Sequence, residues 1–157
     1  MKRLILCLVF VGVLAWCSPA PAAEPLKPSA RDKCAVCGMF VAKYPDFVTE
    51  IIFKDGSHAF FDGAKDMFHY YFNLPKYNAS KKKEDMKSIY VTDYYELKPV
   101  DGFTAFYVTG SNVAGPMGKE LIPFEKEEAA KEFMKDHLGK DLLRFEQVTH
   151  ELVKSLD

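Results

Sequence analysis

The sequence predicts an α+β fold made of two small tandem ββαβ units. Two observations predict it. Runs rich in β-branched and aromatic residues alternate with amphipathic helical runs, and the order strand, turn, strand, helix, strand occurs twice. The size agrees: 157 residues suffice for one compact domain or two very small ones, and 13 Phe and 8 Tyr can fill a core.

The first unit covers residues 34–95. The run FVTEIIF at 47–53 reads as a strand, Asp55-Gly56 as a tight hairpin turn, and His58-Ala59-Phe60-Phe61 as the returning strand. Asp62 is placed to cap a helix over 63–74, whose apolar stripe is Ala64, Phe68, Tyr71 and Phe72. Pro75 stops that helix. Residues 76–87 read as a charged loop in which Met86 is idle, and 88–94 as the next strand. The second unit, 96–157, repeats the pattern. A strand at 104–109, a glycine-rich connection at 110–118 and a short strand at 120–123 lead into a helix at 124–138. Glu125, Glu127 and Glu128 near its start suit the helix dipole, Ala130, Phe133, Met134 and Leu138 form its apolar stripe, and Gly139 ends it. A last strand at 141–148 and a short helical tail follow. Units of about 60 residues bury little alone, so their cores must share or abut.

Ahead of both units, residues 1–23 have the layout of a secretory signal: Lys2 and Arg3, an apolar run from Leu4 to Trp16, then small residues and prolines. The apolar run is shorter than the roughly 20 residues a spanning helix needs. Ala20-Pro21-Ala22 suits general signal cleavage, whereas Leu14-Ala15-Trp16-Cys17 resembles a lipoprotein box that would leave Cys17 lipidated, with Trp16 out of pattern. Residues 24–33 read as a linker. Removing Lys2 and Arg3 leaves 19 basic against 22 acidic side chains, a net charge of −3, which argues against a nucleic-acid binder.

After export only Cys34 and Cys37 remain in the folded part, so the fold rests on its apolar core and not on a disulfide framework. The stretch Cys34-Ala35-Val36-Cys37-Gly38-Met39 brings two thiols and a thioether into one locality. Such soft donors select Cu(I). Three other readings stay open at this point: a zinc site, a redox pair and a structural disulfide. Zinc wants four ligands, and His58, His69, His137 and His150 are scattered. A thioredoxin-type pair normally lies between a strand and a helix, whereas this one follows a linker. Met117, between Pro116 and Gly118, is poorly placed as core filler and is a candidate second thioether. Met67 and Met134 read as core. His58, at the start of its strand, is a weaker candidate ligand. His69 shares a helix face with Asp62, Lys65, Asp66 and Asn73, which reads as a solvated face, so capping and solvation account for both carboxylates. Nothing in the sequence carries a nucleophile elbow, a phosphate loop or a dinucleotide fingerprint.

Cys34-Ala-Val-Cys37-Gly38-Met39, then Phe60-Phe61-Asp62-Gly63, then Gly115-Pro116-Met117-Gly118 resemble the NosL family, the nitrous oxide reductase accessory proteins, over roughly residues 34–146. The resemblance implies a fold of two ββαβ units related to part of organomercurial lyase, and an exported, often lipidated, Cu(I)-binding metallochaperone that is not an enzyme. It implies delivery of copper to nitrous oxide reductase alongside a membrane transporter complex. It carries Cys34, Cys37, Met39 and Met117 over as motif residues. The alternative from another class is a periplasmic thiol-disulfide oxidoreductase using Cys34 and Cys37.

Overall fold

The computed structural model describes residues 24–157; the expected export segment, with Cys17, lies outside the described residues. The two units are present and share one connectivity. In the first, β1 (Thr49–Phe53) is the central strand, flanked by its hairpin partner β2 (His58–Phe61) and by β3 (Met86–Thr92), which follows the helix α1 (Ala64–Phe72). In the second, β5 (Phe106–Thr109) is central, flanked by β6 (Ile122–Phe124) and by β7 (Asp141–Arg144), which follows α3 (Glu127–Asp136). All pairings are antiparallel.

The expected hairpin turn forms at Asp55-Gly56, where Gly56 takes φ +83° and its N–H donates to the Phe53 carbonyl (3.0 Å). Four local expectations change. The first sheet gains a fourth strand, β4 (Pro99–Asp101), paired with β3 from beyond the expected join. A proline at its first residue and only three residues of length left it illegible as a strand. The supposed loop at 76–87 begins with the end of a short helix, α2 (Leu74–Tyr77), which Pro75 starts instead of merely ending α1. Met86 begins β3 and is buried in the core. At the end of α3 the left-handed position belongs to Leu138 (φ +59°). Gly139 follows it, donating its N–H to the Met134 carbonyl (2.9 Å), where a Cβ would collide with Val108 and Met134.

The main core is shared between the units. It holds Ile51, Phe53, Ile89 and Val91 of the first sheet, Ala64, Met67 and Phe68 of α1, and Tyr107, Leu121, Phe145, Val148, Val153 and Leu156 of the second unit. Phe68 sits at the joint, with its ring 5.2 Å from Tyr107 and 5.1 Å from Phe145. A smaller cluster under α3 is built on Phe106, Ile122, Phe124, Ala130 and Phe133. A polar joint reinforces the contact: the buried Asp93 accepts the Glu125 N–H (2.7 Å), and Tyr94 N–H donates to the Pro123 carbonyl (3.0 Å).

Sandwiched between the first sheet and the second unit, α1 is buried all round at its N-terminal end. Lys65 and Asp66 are only 3% and 5% exposed. The face that reads as solvated in the sequence is therefore an interior face, and α4 (His150–Ser155) packs along it. Phe68→Ala should lower stability by about 3–5 kcal/mol, the range for emptying a buried aromatic site. Because the core is shared, chemical denaturation should still give one cooperative transition by both circular dichroism and tyrosine fluorescence. Two separated transitions would show that the units fold independently.

Candidate metal centre

Residues 34–39 fold into a tight loop closed by the Lys33–Phe40 bridge. Cys34 N–H donates to the Met39 carbonyl (2.8 Å), Gly38 N–H donates to the Cys34 carbonyl (3.0 Å), and Ala35 N–H ties the loop to the Phe60 carbonyl of β2 (3.0 Å). Gly38 is needed for its backbone alone: φ is +79°, and a Cβ there would meet open space. The loop turns both thiols toward the start of α1. The Cys34 thiol donates to Asp66 Oδ2 (3.1 Å), and the Cys37 thiol lies 3.4 Å from Asp62 Oδ1. Val36 and Cys37 N–H groups each point at Cys34 Sγ (3.5 Å). One ligand atom from each of Cys34, Cys37, Asp62 and Asp66 lies within 4.8 Å of the others.

The position of Asp62 corrects its expected role. The N-cap of α1 is Gly63, which has no side chain to cap with, and the Asp62 carboxylate is 1% exposed beside Cys37. The amide of Lys65 is satisfied by Glu120 from the second unit, whose Oε1 also accepts the Leu121 N–H (2.5 and 2.9 Å).

A cavity of about 380 Å³ opens from the thiol cluster to the surface. Cys37, Asp66, His69, Met117, His150 and Asp157 are among the residues that line it. Met117 stands at the tip of the 115–118 turn, closed by reciprocal backbone bonds between Gly115 and Gly118 (2.8 and 3.1 Å), and is 45% exposed. The Lys65 ammonium, itself buried, donates to the Met117 carbonyl (2.9 Å) and to that of Leu156 (3.4 Å). His69 Nε2 lies 3.1 Å from Asp157 Oδ1 at the rim.

Of the residues singled out from the sequence, Cys34, Cys37 and Met117 thus border one site. Met39 contributes its backbone carbonyl to the loop, and its side chain is not part of the cavity wall. His58 is exposed on β2 against the Phe60 ring, 4.9 Å between centroids, and borders a different hollow beside Tyr70 and Tyr77. Asp62, Asp66, His69, Lys65 and Glu120 were missed as parts of the site. Helical periodicity carried no signal for them: Ala64, Met67, Phe68, Tyr70 and Tyr71 fall on one side of the helix, and Asp62, Lys65, Asp66, His69 and Asn73 share the other, the pattern of a helix with one packed face.

The electrostatics favour protonated thiols. Burial is the main cause that pushes the Cys34 thiol far above the ordinary range, with Asp66 adding to it, and burial likewise pushes Cys37 up to about 11. Asp66 is raised by burial first and then by the neighbouring Asp62. Glu120 is pushed up to about 8 by burial, against the pull of its two backbone donors and of Lys65. Asp62 and Asp66 lie against the thiols, Glu120 holds the Lys65 amide, and Lys76, Lys154 and Asp157 line the cavity beyond them.

The sequence matches the NosL family over residues 25–153. This chain belongs to the NosL family. It is 30% identical over 139 residues to the copper-binding lipoprotein NosL of Stutzerimonas stutzeri, an alignment that covers 83% of this chain and 69% of that protein. The crystal structure of the copper chaperone NosL from Shewanella denitrificans superposes with a TM-score of 0.71 at 25% identity, covering 84% of this chain and 99% of that one. The tandem α+β architecture expected from the sequence is therefore that of a NosL family structure.

In the metal-free protein, iodoacetamide should modify Cys37 at a rate that rises about tenfold per pH unit toward pH 11, because the thiolate is the nucleophile. Cys34 should stay unmodified while the protein is folded. Asp66→Asn, which removes a neighbouring acceptor and negative charge, should shift the Cys37 midpoint downward. Mass spectrometry of the alkylated peptides reads all three. A wild-type midpoint near pH 8 would contradict the burial described.

Proposed function

We propose that this chain is an exported Cu(I) carrier that hands copper to an enzyme outside the cytoplasm, with nitrous oxide reductase as the client. The observation that carries the reading is that a cluster of two thiols and two carboxylates opens through Cys37 onto a cavity that Met117 also lines, in a NosL family chain. Thiolate with thioether is a soft donor set, and among biological ions it selects Cu(I). That the Stutzerimonas relative is described as copper-binding and the Shewanella one as a copper chaperone supports the assignment.

Cys37 is the principal ligand: it is half-buried and borders the cavity. Cys34 stands behind it, and Met117 approaches from the other unit. Met39, on the thiol loop itself, is the second thioether proposed for the copper. Copper entering the site replaces thiol protons, and Asp66 and Asp62 are the first acceptors of those protons. Asp62 and Asp66 stand beside the thiols without enclosing the site, and the opening leaves room for a partner's ligand to attack. Delivery from a membrane transporter complex, and anchoring through a lipidated Cys17, fit the export layout of residues 1–23.

Two other readings are less well supported. Two thiols with two carboxylates would by themselves suit Zn(II); the Met117 thioether on the same cavity favours Cu(I). A thiol-disulfide oxidoreductase needs a thiol of lowered pKa, and both thiols here are raised.

Anaerobic titration of residues 24–157 with Cu(I) against a competing chelator should give one copper per chain. Cys37→Ala should weaken retention by roughly a hundredfold or more and Met117→Leu by roughly tenfold. Affinity should fall as pH falls, about tenfold per unit for each thiol proton displaced, since both thiols stay protonated across the physiological range in the free protein. No retention above the chelator, or tighter binding of Zn(II) than of Cu(I) that survives Met117→Leu, would overturn the proposal. Transfer of bound copper to apo-nitrous oxide reductase tests the client.

A further inference from the structure

The residue that organises this site reaches it from the second unit. The free amides of a helix's first turn are ordinarily satisfied by a side chain at the N-cap, and Asp62 is the residue of that type nearest the start of α1. Its carboxylate is instead at Cys37. The acceptor for α1 comes from 55 residues away: Glu120 Oε1 takes the Lys65 N–H and the Leu121 N–H (2.5 and 2.9 Å). Space for this carboxylate is built into both units. A Cβ on Gly63 would collide with Glu120 Oε2, and one on Gly115 would lie 2.9 Å from it. Lys65 completes the arrangement, because the residue whose amide Glu120 holds also donates its ammonium to the Met117 carbonyl (2.9 Å).

We propose that Glu120 is a positioning residue of the thiol and thioether site: by capping α1 in place of Asp62 it leaves Asp62 to the Cys37 thiol, and by bracing Gly115 and Lys65 it holds the Met117 turn over the same cavity. The assignment rests on Met117 and Cys37 as copper donors only for its functional consequence. The structural coupling stands apart from copper.

The test compares Glu120→Gln, Glu120→Ala and Lys65→Met. Glutamine keeps the Oε1 acceptor and should behave as the wild type. In Glu120→Ala, hydrogen exchange at the amides of Lys65, Gly115 and Gly118 should speed up about tenfold or more, while the central strands β1 and β5 keep their protection. Cu(I) affinity should fall about tenfold, and adding Met117→Leu in that background should cost almost nothing, although it costs about tenfold in the wild type. A purely structural glutamate would lower the melting temperature yet leave the Met117→Leu cost intact, and that result overturns the proposal. So does unchanged exchange at the three amides. If the wild type does not retain Cu(I), the proposed function fails, and the exchange measurements alone decide this inference. If Glu120→Ala does not fold, Lys65→Met decides: exchange should speed up at Gly115 and Gly118 but not at Lys65, whose cap remains, and no change at the turn overturns the proposal.

Discussion

A helix that begins inside a protein must find acceptors there for its first amides, and that requirement shapes the whole joint between the two units. The start of α1 is closed off from water by the first sheet on one side and by β5, the 115–118 turn and α4 on the other. Glu120 meets the requirement from across the joint. Burying that carboxylate has its own cost, visible in the upward push on its pKa, and the two backbone donors and Lys65 offset it. Packing, polar satisfaction and site assembly therefore converge on one helical turn.

The thiol site inherits its character from the same burial. Cys34 and Cys37 are placed as proton donors to Asp66 and Asp62, and burial holds both thiols above their ordinary range. In the proposed function, the carboxylates bonded to the protonated thiols are also the nearest acceptors for the protons a bound cation would displace. The site is then deep on the thiol side and open on the Met117 side.

Much of the fold was legible because its signals are local. The β1–β2 hairpin is announced by Asp55-Gly56 between strand-like runs, and α3 by its acidic start and its apolar stripe. The twofold order of elements was readable for the same reason. The β4 strand was not: three residues beginning with proline carry no pattern of their own and become a strand only because the edge of β3 is there to pair with. Residues 145–148 read as strand from their composition, yet they turn away from β7 to place Phe145 and Val148 in the shared core.

For the site, the sequence alone determined the donor chemistry: two thiols in a CxxC spacing followed by Gly-Met, and a methionine isolated between proline and glycine. Those are properties of residue type and local backbone, which neighbours in sequence suffice to define. Tertiary structure alone decided which of these donors meet. It brought Met117 to the cavity of Cys37, left the Met39 side chain and His58 outside it, and turned Asp62 and Asp66 from a supposed solvated face into the partners of the thiols. The physical reason is that a helix has as many buried faces as it has packed neighbours. A single amphipathic stripe reports one neighbour. The second neighbour of α1 is supplied by chain 52 to 91 residues further on, and only the assembled fold puts it there.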